Sequence, residues 1–184
     1  MTNGGPSLEN WANRIDTRES RMKFMILMLK QIIPGLEKIH TFGYTHSDIK
    51  RANICARASK HHHSPFIFTL IDFGLCSKLP LMGQNFPDKN FRGNLMFGSI
   101  EQIVRKRATS LCDIYSLICM AYCFVNGSLP WFDYIDKKAR FSNDPGSFYA
   151  EDNFTETRIL QNKVFEKELI AKSAELSPLF QYVL

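Results

Sequence analysis

The chain has 184 residues, with 23 Lys+Arg against 18 Asp+Glu for a net charge of +5, and 45% of its residues are hydrophobic and 12% aromatic. This composition fits one globular domain that buries roughly 70% of its extended-chain surface, and it excludes a disordered, collagen-like or low-complexity protein. The basic residues fall in short clusters, Arg105-Lys106-Arg107 and Lys137-Lys138 with Arg140, rather than in one stripe; that pattern fits a solvated surface or a site for acidic or phosphorylated partners, and no nucleic-acid partner is expected.

The N-terminus, MTNGGPSLEN, has neither a basic n-region nor an apolar stretch, so no secretory signal is expected. From Arg21 to His40 apolar residues recur at Met22, Met25, Leu29, Ile32, Leu36 and Ile39, the three-and-four spacing that aligns them on one helix face. Asp16 with Glu19 offers a capping-box-like start and Gly43 a stop. Pro34-Gly35 interrupts the pattern with a missing backbone donor and a flexible residue, which predicts a kink.

Phe66 to Ile71 is a short β-branched and aromatic run that ends at Asp72 and Gly74, the pattern of a buried strand stopped by a turn. Asn53 to Arg57 is the candidate second arm of a hairpin, with His61-His62-His63 in its loop. Three adjacent histidines cannot all face one ion on a regular element, so an exposed loop is expected there rather than a metal site. Asp113 to Val125 is apolar almost all round, as in a helix buried on every side. Polar stretches then precede a weaker helical pattern from Glu156 to Lys172, and Leu179 to Leu184 ends while still apolar.

The longest apolar runs, Phe24 to Leu29 and Ile114 to Val125, fall short of the ~18 to 20 residues that a membrane-spanning helix needs. No membrane span is expected, and the protein is expected to be intracellular, in cytoplasm or nucleus. Cys55, Cys76, Cys112, Cys119 and Cys123 are odd in number and contain no C-x-x-C pair. Reduced and mostly buried thiols follow, rather than a disulfide framework or a zinc ribbon.

Two segments carry chemistry. His46-Ser47-Asp48-Ile49-Lys50-Arg51-Ala52-Asn53 places an acid, a cation and an amide in one loop after a helix, and Asp72-Phe73-Gly74 follows the strand. Phosphoryl transfer needs a group to orient a hydroxyl, positive charge on the moving phosphoryl group and ligands for Mg²⁺. A carboxylate, a lysine and an Asn/Asp pair supply these. Taken singly, the same residues also admit plainer roles: a turn cap for Asp48, a strand start for Asn53, an Asx turn for Asp72 ahead of Gly74.

With these motifs the chain resembles the C-terminal lobe of a protein kinase, and is most similar to the casein kinase I group. The resemblance rests on Gly5-Pro6-Ser7-Leu8-Glu9 after the hinge, Leu36-Glu37-Lys38-Ile39-His40 before the catalytic loop and Leu70-Ile71-Asp72-Phe73-Gly74-Leu75. Phe91-Arg92-Gly93-Asn94, Phe97-Gly98-Ser99-Ile100, Asp113-Ile114-Tyr115-Ser116-Leu117 and Gly127-Ser128-Leu129-Pro130-Trp131 follow in the family's order. It spans about residues 5 to 132 and is faint beyond Trp131. The implied fold is α+β, mainly α: a kinase-like C-lobe with a small β-hairpin and no N-lobe. Residues 1–184 would then be a partial kinase domain, beginning just after the hinge and lacking its last helices.

The resemblance implies ATP and Mg²⁺ as cofactors and a protein Ser/Thr hydroxyl as acceptor. Asp48 would orient or deprotonate that hydroxyl, Lys50 would contact the transferred phosphate, Asn53 and Asp72 would hold Mg²⁺, and Cys55 and Ile71 would line the adenine floor. Asp113 would hydrogen-bond the backbone of the catalytic loop. A Lys two residues after the Asp is the serine/threonine form of the loop.

Several positions depart from the family. Ser47 replaces an Arg that in many kinases grips an activation-loop phosphate, which argues against control of that kind. Asn94 replaces a Thr that bonds the catalytic Asp, and its amide retains a donor for that carboxylate. Met96 replaces an Arg of an anion site, which argues against a preference for acidic substrates. Glu101 matches the glutamate of the APE element, whose Arg partner would lie beyond Leu184. Nothing before His46 supplies a Gly-rich loop or a strand lysine. Two readings follow: a casein kinase I-type serine/threonine kinase represented by its C-lobe, or a truncated, pseudokinase-like binding module without phosphotransfer.

Overall fold

The structure is a computed structural model that describes residues 4–60, 64–79, 93–94, 96–99, 101–102 and 109–129. The His61-His62-His63 loop, Phe91-Arg92, the 105–107 and 137–140 basic clusters, Pro130-Trp131, the expected helix from Glu156 to Lys172 and the apolar stretch from Leu179 lie outside the described residues.

The short helix α1 (Leu8–Ala12) leads into the long helix α2 (Arg18–Thr41). Helix α2 begins three residues earlier than its apolar spacing indicates, and its cap is Thr17, whose hydroxyl accepts from the Ser20 N–H at 3.2 Å. This replaces the expected Asp16 and Glu19 pairing. Phe24, Met25, Met28, Leu29, Ile32 and Leu36 are buried. Pro34 and Gly35 stand on the exposed face, and the helix runs through both positions. Gly43 follows the helix at φ +79°, a left-handed position that glycine reaches without steric cost.

Among the described residues, four strands form two nested pairs. The outer pair is β1 (Tyr44–Thr45) with β4 (Ser77–Lys78), in register Tyr44↔Lys78 and Thr45↔Ser77. The inner pair is the expected hairpin, β2 (Ile54–Ala58) with β3 (Phe66–Leu70), in register Ile54↔Leu70 through Ala58↔Phe66. Asn53 is not in the strand: it ends a 3₁₀ turn over Arg51–Asn53. The chain runs from outer to inner strand and back again, so the segments 46–53 and 71–76 join the same two sheets and lie side by side.

Alternation along the hairpin sends Ile54, Ala56 and Phe68 into the core. Cys55, Thr69 and Ile71 face the other way. Gln31 of α2 completes the hairpin's packing, donating to the Phe66 carbonyl at 2.9 Å and accepting from the Phe68 N–H at 3.1 Å. Aromatic rings fill the gap between α1, α2 and the hairpin: Phe24 meets Phe66 and Phe68 edge-on at 4.9 and 5.0 Å, and Trp11 meets Phe66 at 5.3 Å. Trp11 also donates its indole N–H to the Ala56 carbonyl at 3.0 Å, so the polar atom of this half-buried ring is satisfied.

Helix α3 (Ser110–Asn126) packs on α2 and buries Leu117, Cys119, Met120 and Phe124. It is longer than the expected Asp113 to Val125, and its first turn is not apolar-buried on every side: Leu111 is 75% exposed. It stops at Gly127, at φ +85°, whose N–H donates to the Cys123 carbonyl at 2.9 Å. None of the five cysteines forms a disulfide, and all except the half-buried Cys76 are buried. No helix among the described residues is long and apolar enough to cross a membrane.

Candidate active site

The loop after β1 is fixed from below by α3. The Asp113 carboxylate, 1% exposed, accepts from the His46 and Ser47 backbone N–H groups, each at 2.8 Å, and meets the His40 ring at 2.9 Å. The expected contact of Asp113 with the loop backbone is thus present. A carboxylate taken out of water needs such donors, and three of them converge here.

His46 is fully buried and joins the two facing segments. Its Nε2 lies 3.0 Å from the Ile71 carbonyl, its Nδ1 accepts from the Asp48 N–H at 3.3 Å, and Phe73 packs edge-on against the ring at 4.9 Å. The backbone acceptor assigns the proton to Nε2. The loop is therefore tied directly to the strand end that carries Asp72.

Asp48, 4% exposed, is the hub of the loop. Its Oδ2 accepts from Lys50 Nζ at 2.7 Å and from Asn53 Nδ2 at 2.9 Å, and the same Asn53 amide reaches the Asp48 carbonyl at 2.9 Å. Oδ1 is buried and has no hydrogen-bond partner among the described residues. A buried carboxylate oxygen left open in this way is costly for structure alone. Asn53 Oδ1 likewise makes no hydrogen bond among the described residues.

The Ile71 N–H donates to the Asn53 carbonyl at 2.9 Å, which sets Asp72 one residue beyond that contact. Asp72 is exposed and sits at φ +64°, with Oδ1 accepting from the Gly74 N–H at 3.3 Å. The plainer Asx-turn role is thus present, and it engages Oδ1 alone. Ser47 is the second non-glycine residue in the left-handed region, at φ +68°. Such backbone costs on the order of 1–3 kcal/mol and persists only where its surroundings hold it; one instance immediately precedes Asp48 and the other is Asp72 itself.

Cys55 and Ile71 share the outward face of the hairpin. Ile71 is 37% exposed, whereas Cys55 is covered by the N-terminal segment: Ser7 bridges to it, and a Cβ at Gly4 would lie 3.3 Å from Cys55 Cβ. The sequence-derived residues therefore divide into a bonded cluster of Asp48, Lys50 and Asn53, a neighbouring exposed Asp72, and Cys55 with Ile71 on the adjoining face.

Asn94 behaves differently from expectation. Its side-chain oxygen accepts from the Met96 and Phe97 N–H groups at 2.9 and 3.3 Å, closing its own turn, and it makes no bond to Asp48. Short amide side chains favour this local geometry over a distant partner. Ser47 is buried, its hydroxyl 2.9 Å from that of Thr45, so a buried polar pair stands at the position where the resembled family carries an Arg. Burial first, and the Asp113 charge second, push the Cys76 thiol up.

Sequence reasoning gave no role to His40, His46 or Gln102. Each is a polar residue beside a motif or at the end of an apolar pattern, and a satisfied partner across the fold is what such placement signals.

Comparison with known proteins gives the same direction. The family profile described as Protein kinase domain matches residues 2–175. A Caenorhabditis elegans protein whose casein kinase I name is itself provisional is 33% identical over 105 residues, covering 55% of this chain and 30% of the relative. The chain thus matches less than a third of that relative's length.

Proposed function

The chain belongs to the protein kinase domain family and is casein kinase I-like, and from that premise we propose that it serves ATP-dependent phosphoryl transfer to serine or threonine hydroxyls of protein substrates. The observation that carries the reading is Asp48: one carboxylate oxygen is held by Lys50 and Asn53, and the other is buried without a partner among the described residues. An acceptor hydroxyl that donates to Oδ1 would be oriented and relieved of its proton there. Lys50, fixed on Asp48 at 2.7 Å, is positioned to neutralise charge on the transferred group.

The oxygen donors fit Mg²⁺. Asn53 Oδ1 and the Asp72 carboxylate are hard ligands on adjoining segments, and among the described residues no cluster of three His, Cys, Asp or Glu forms a dedicated metal cage. Mg²⁺ takes one or two protein ligands and completes its octahedron with phosphates and water. When bound, Mg·ATP supplies the phosphoryl group and its charge compensation; this chain's residues bind, orient and accept the proton. Lys50, two residues after Asp48, supports Ser/Thr over Tyr.

The test is transfer of labelled phosphate from ATP to Ser, Thr and Tyr peptide pools, with Asp48→Asn and Asp72→Asn as controls. Loss of transfer by ~10²-fold or more in both variants, with acceptance of Ser and Thr peptides only, is the expected result. Mg·ATP binding without transfer, unchanged in Asp48→Asn, would favour the pseudokinase-like binding module instead.

A further inference from the structure

Gln102 lies outside every motif read from the sequence, yet its buried amide donates Nε2–H to the Ser47 carbonyl at 2.9 Å, across 55 residues. That carbonyl belongs to the peptide group joining Ser47 to Asp48. The N–H of the same peptide group donates to His46 Nδ1 at 3.3 Å. The plane leading into Asp48 is therefore held from both edges, by Gln102 on one side and His46 on the other.

Two features make this hold specific. Ser47 sits at φ +68°, so its backbone relaxes unless it is tied. Gly93, at φ +128°, closes over the bond: a Cβ there would lie 2.6 Å from both Gln102 Nε2 and Ser47 O, which leaves no room for a substituting water. Gln102 is itself anchored to α3. Its N–H donates to Ser99 Oγ at 3.2 Å, Ser99 donates to Cys112 Sγ at 3.1 Å, and Ser116 donates to the Phe97 carbonyl at 3.0 Å.

We propose that Gln102 is a positioning residue for Asp48: its side-chain amide locks the strained Ser47–Asp48 peptide group and transmits the placement of Phe97, Ser99 and Gln102 on α3 to the candidate catalytic carboxylate. This rests on the phosphotransfer reading above. A displacement of about 1 Å at a reacting group costs on the order of 10²-fold in rate, so a peptide plane free to rotate lowers turnover without touching the nucleotide.

The test uses Gln102→Met, which keeps the volume and removes the donor, alone and combined with Ser47→Gly, which removes the strain. In Gln102→Met, kcat falls about tenfold or more, KM for ATP changes less than about twofold, and amide hydrogen exchange quickens at residues 46–48 while α2 and α3 stay protected. In the Ser47→Gly background the same substitution costs several-fold less, because glycine has no preference for leaving φ +68°. Unchanged exchange at 46–48, or faster exchange spread through α2 and α3, overturns the proposal, as does an equal kcat loss in both backgrounds. If the unsubstituted protein transfers no phosphate, the phosphotransfer reading fails by itself, and the exchange measurement still decides whether Gln102 holds the loop.

Discussion

His40 Nε2 and Asp113 Oδ2 lie 2.9 Å apart, joining the last turn of α2 to the first turn of α3 across 73 residues. The same carboxylate accepts from two consecutive backbone N–H groups of the loop that carries Asp48. The helix pair thus reaches the loop that carries Asp48 through the Asp113 side chain, beside the separate link that Gln102 makes from α3.

Asp113→Asn tests that route. An amide offers one acceptor oxygen where the carboxylate offers two, so the His46 or the Ser47 N–H is left buried without a partner. The expected loss is about 1–3 kcal/mol of stability, read from urea unfolding, with a fall in transfer rate of roughly tenfold or more. Native stability and rate in this variant would show that the loop amides keep their geometry without the charge.

Three glycines separate steric contact from backbone conformation. Gly5 sits at φ +84° with a would-be Cβ 2.5 Å from the Ala56 carbonyl, in a segment whose Pro6 carbonyl accepts from the Ala56 N–H at 2.9 Å. Gly5→Ala should cost about 2–4 kcal/mol, combining left-handed strain with overpacking. Gly43, at φ +79° with nothing within 4 Å, should cost only about 1–2 kcal/mol as Gly43→Ala. Gly35 is helical and uncrowded, so Gly35→Ala should stabilise by about 0.5–1 kcal/mol. Thermal unfolding of the three variants checks the order and the change of sign.

Much of this architecture was legible because it is written in local pattern. The apolar period of α2, the β-branched run of β3 and the acid-cation-amide order of Asp48, Lys50 and Asn53 all read directly from neighbouring residues. What did not read was set by distance in sequence. His40 and Asp113 are 73 residues apart and Gln102 and Ser47 are 55 apart, and no periodicity couples them. Asn94 failed for the opposite reason: a plausible long-range bond to Asp48 lost to a turn two residues away. The start of α2 is ambiguous in the sequence because Asp16 and Thr17 are both good caps, and only the backbone geometry at Thr17 selects between them.

Gln31→Met should separate polar satisfaction from packing at the hairpin. The substitution keeps the length of the side chain and its contact with β3, but leaves the Phe66 carbonyl and the Phe68 N–H without their side-chain partner. A loss of about 2–4 kcal/mol is expected from two part-buried groups, with hydrogen exchange at Phe68 quickening more than at Cys55. A near-neutral result would mean that water reaches both groups once the amide is gone.

The thiols give the fold a pH dependence of defined sign. Burial and the Asp113 charge raise Cys76, and burial raises Cys123 despite the opposing charge of Arg51. Both native thiols therefore keep their protons at pH values where the unfolded chain, with ordinary thiols near about 8.5, has begun to lose them. The native state binds more protons than the unfolded state in that window, so stability must fall as pH rises. The contribution is fully present below the unfolded thiol value and is lost between that value and the higher native ones. Urea midpoints measured at pH 7.5 and about pH 10 should show the decline, and Cys123→Ala should flatten it relative to the native chain. An identical slope in Cys123→Ala would assign the alkaline loss to other groups, because removing one of the two shifted thiols must remove its share of the proton uptake difference.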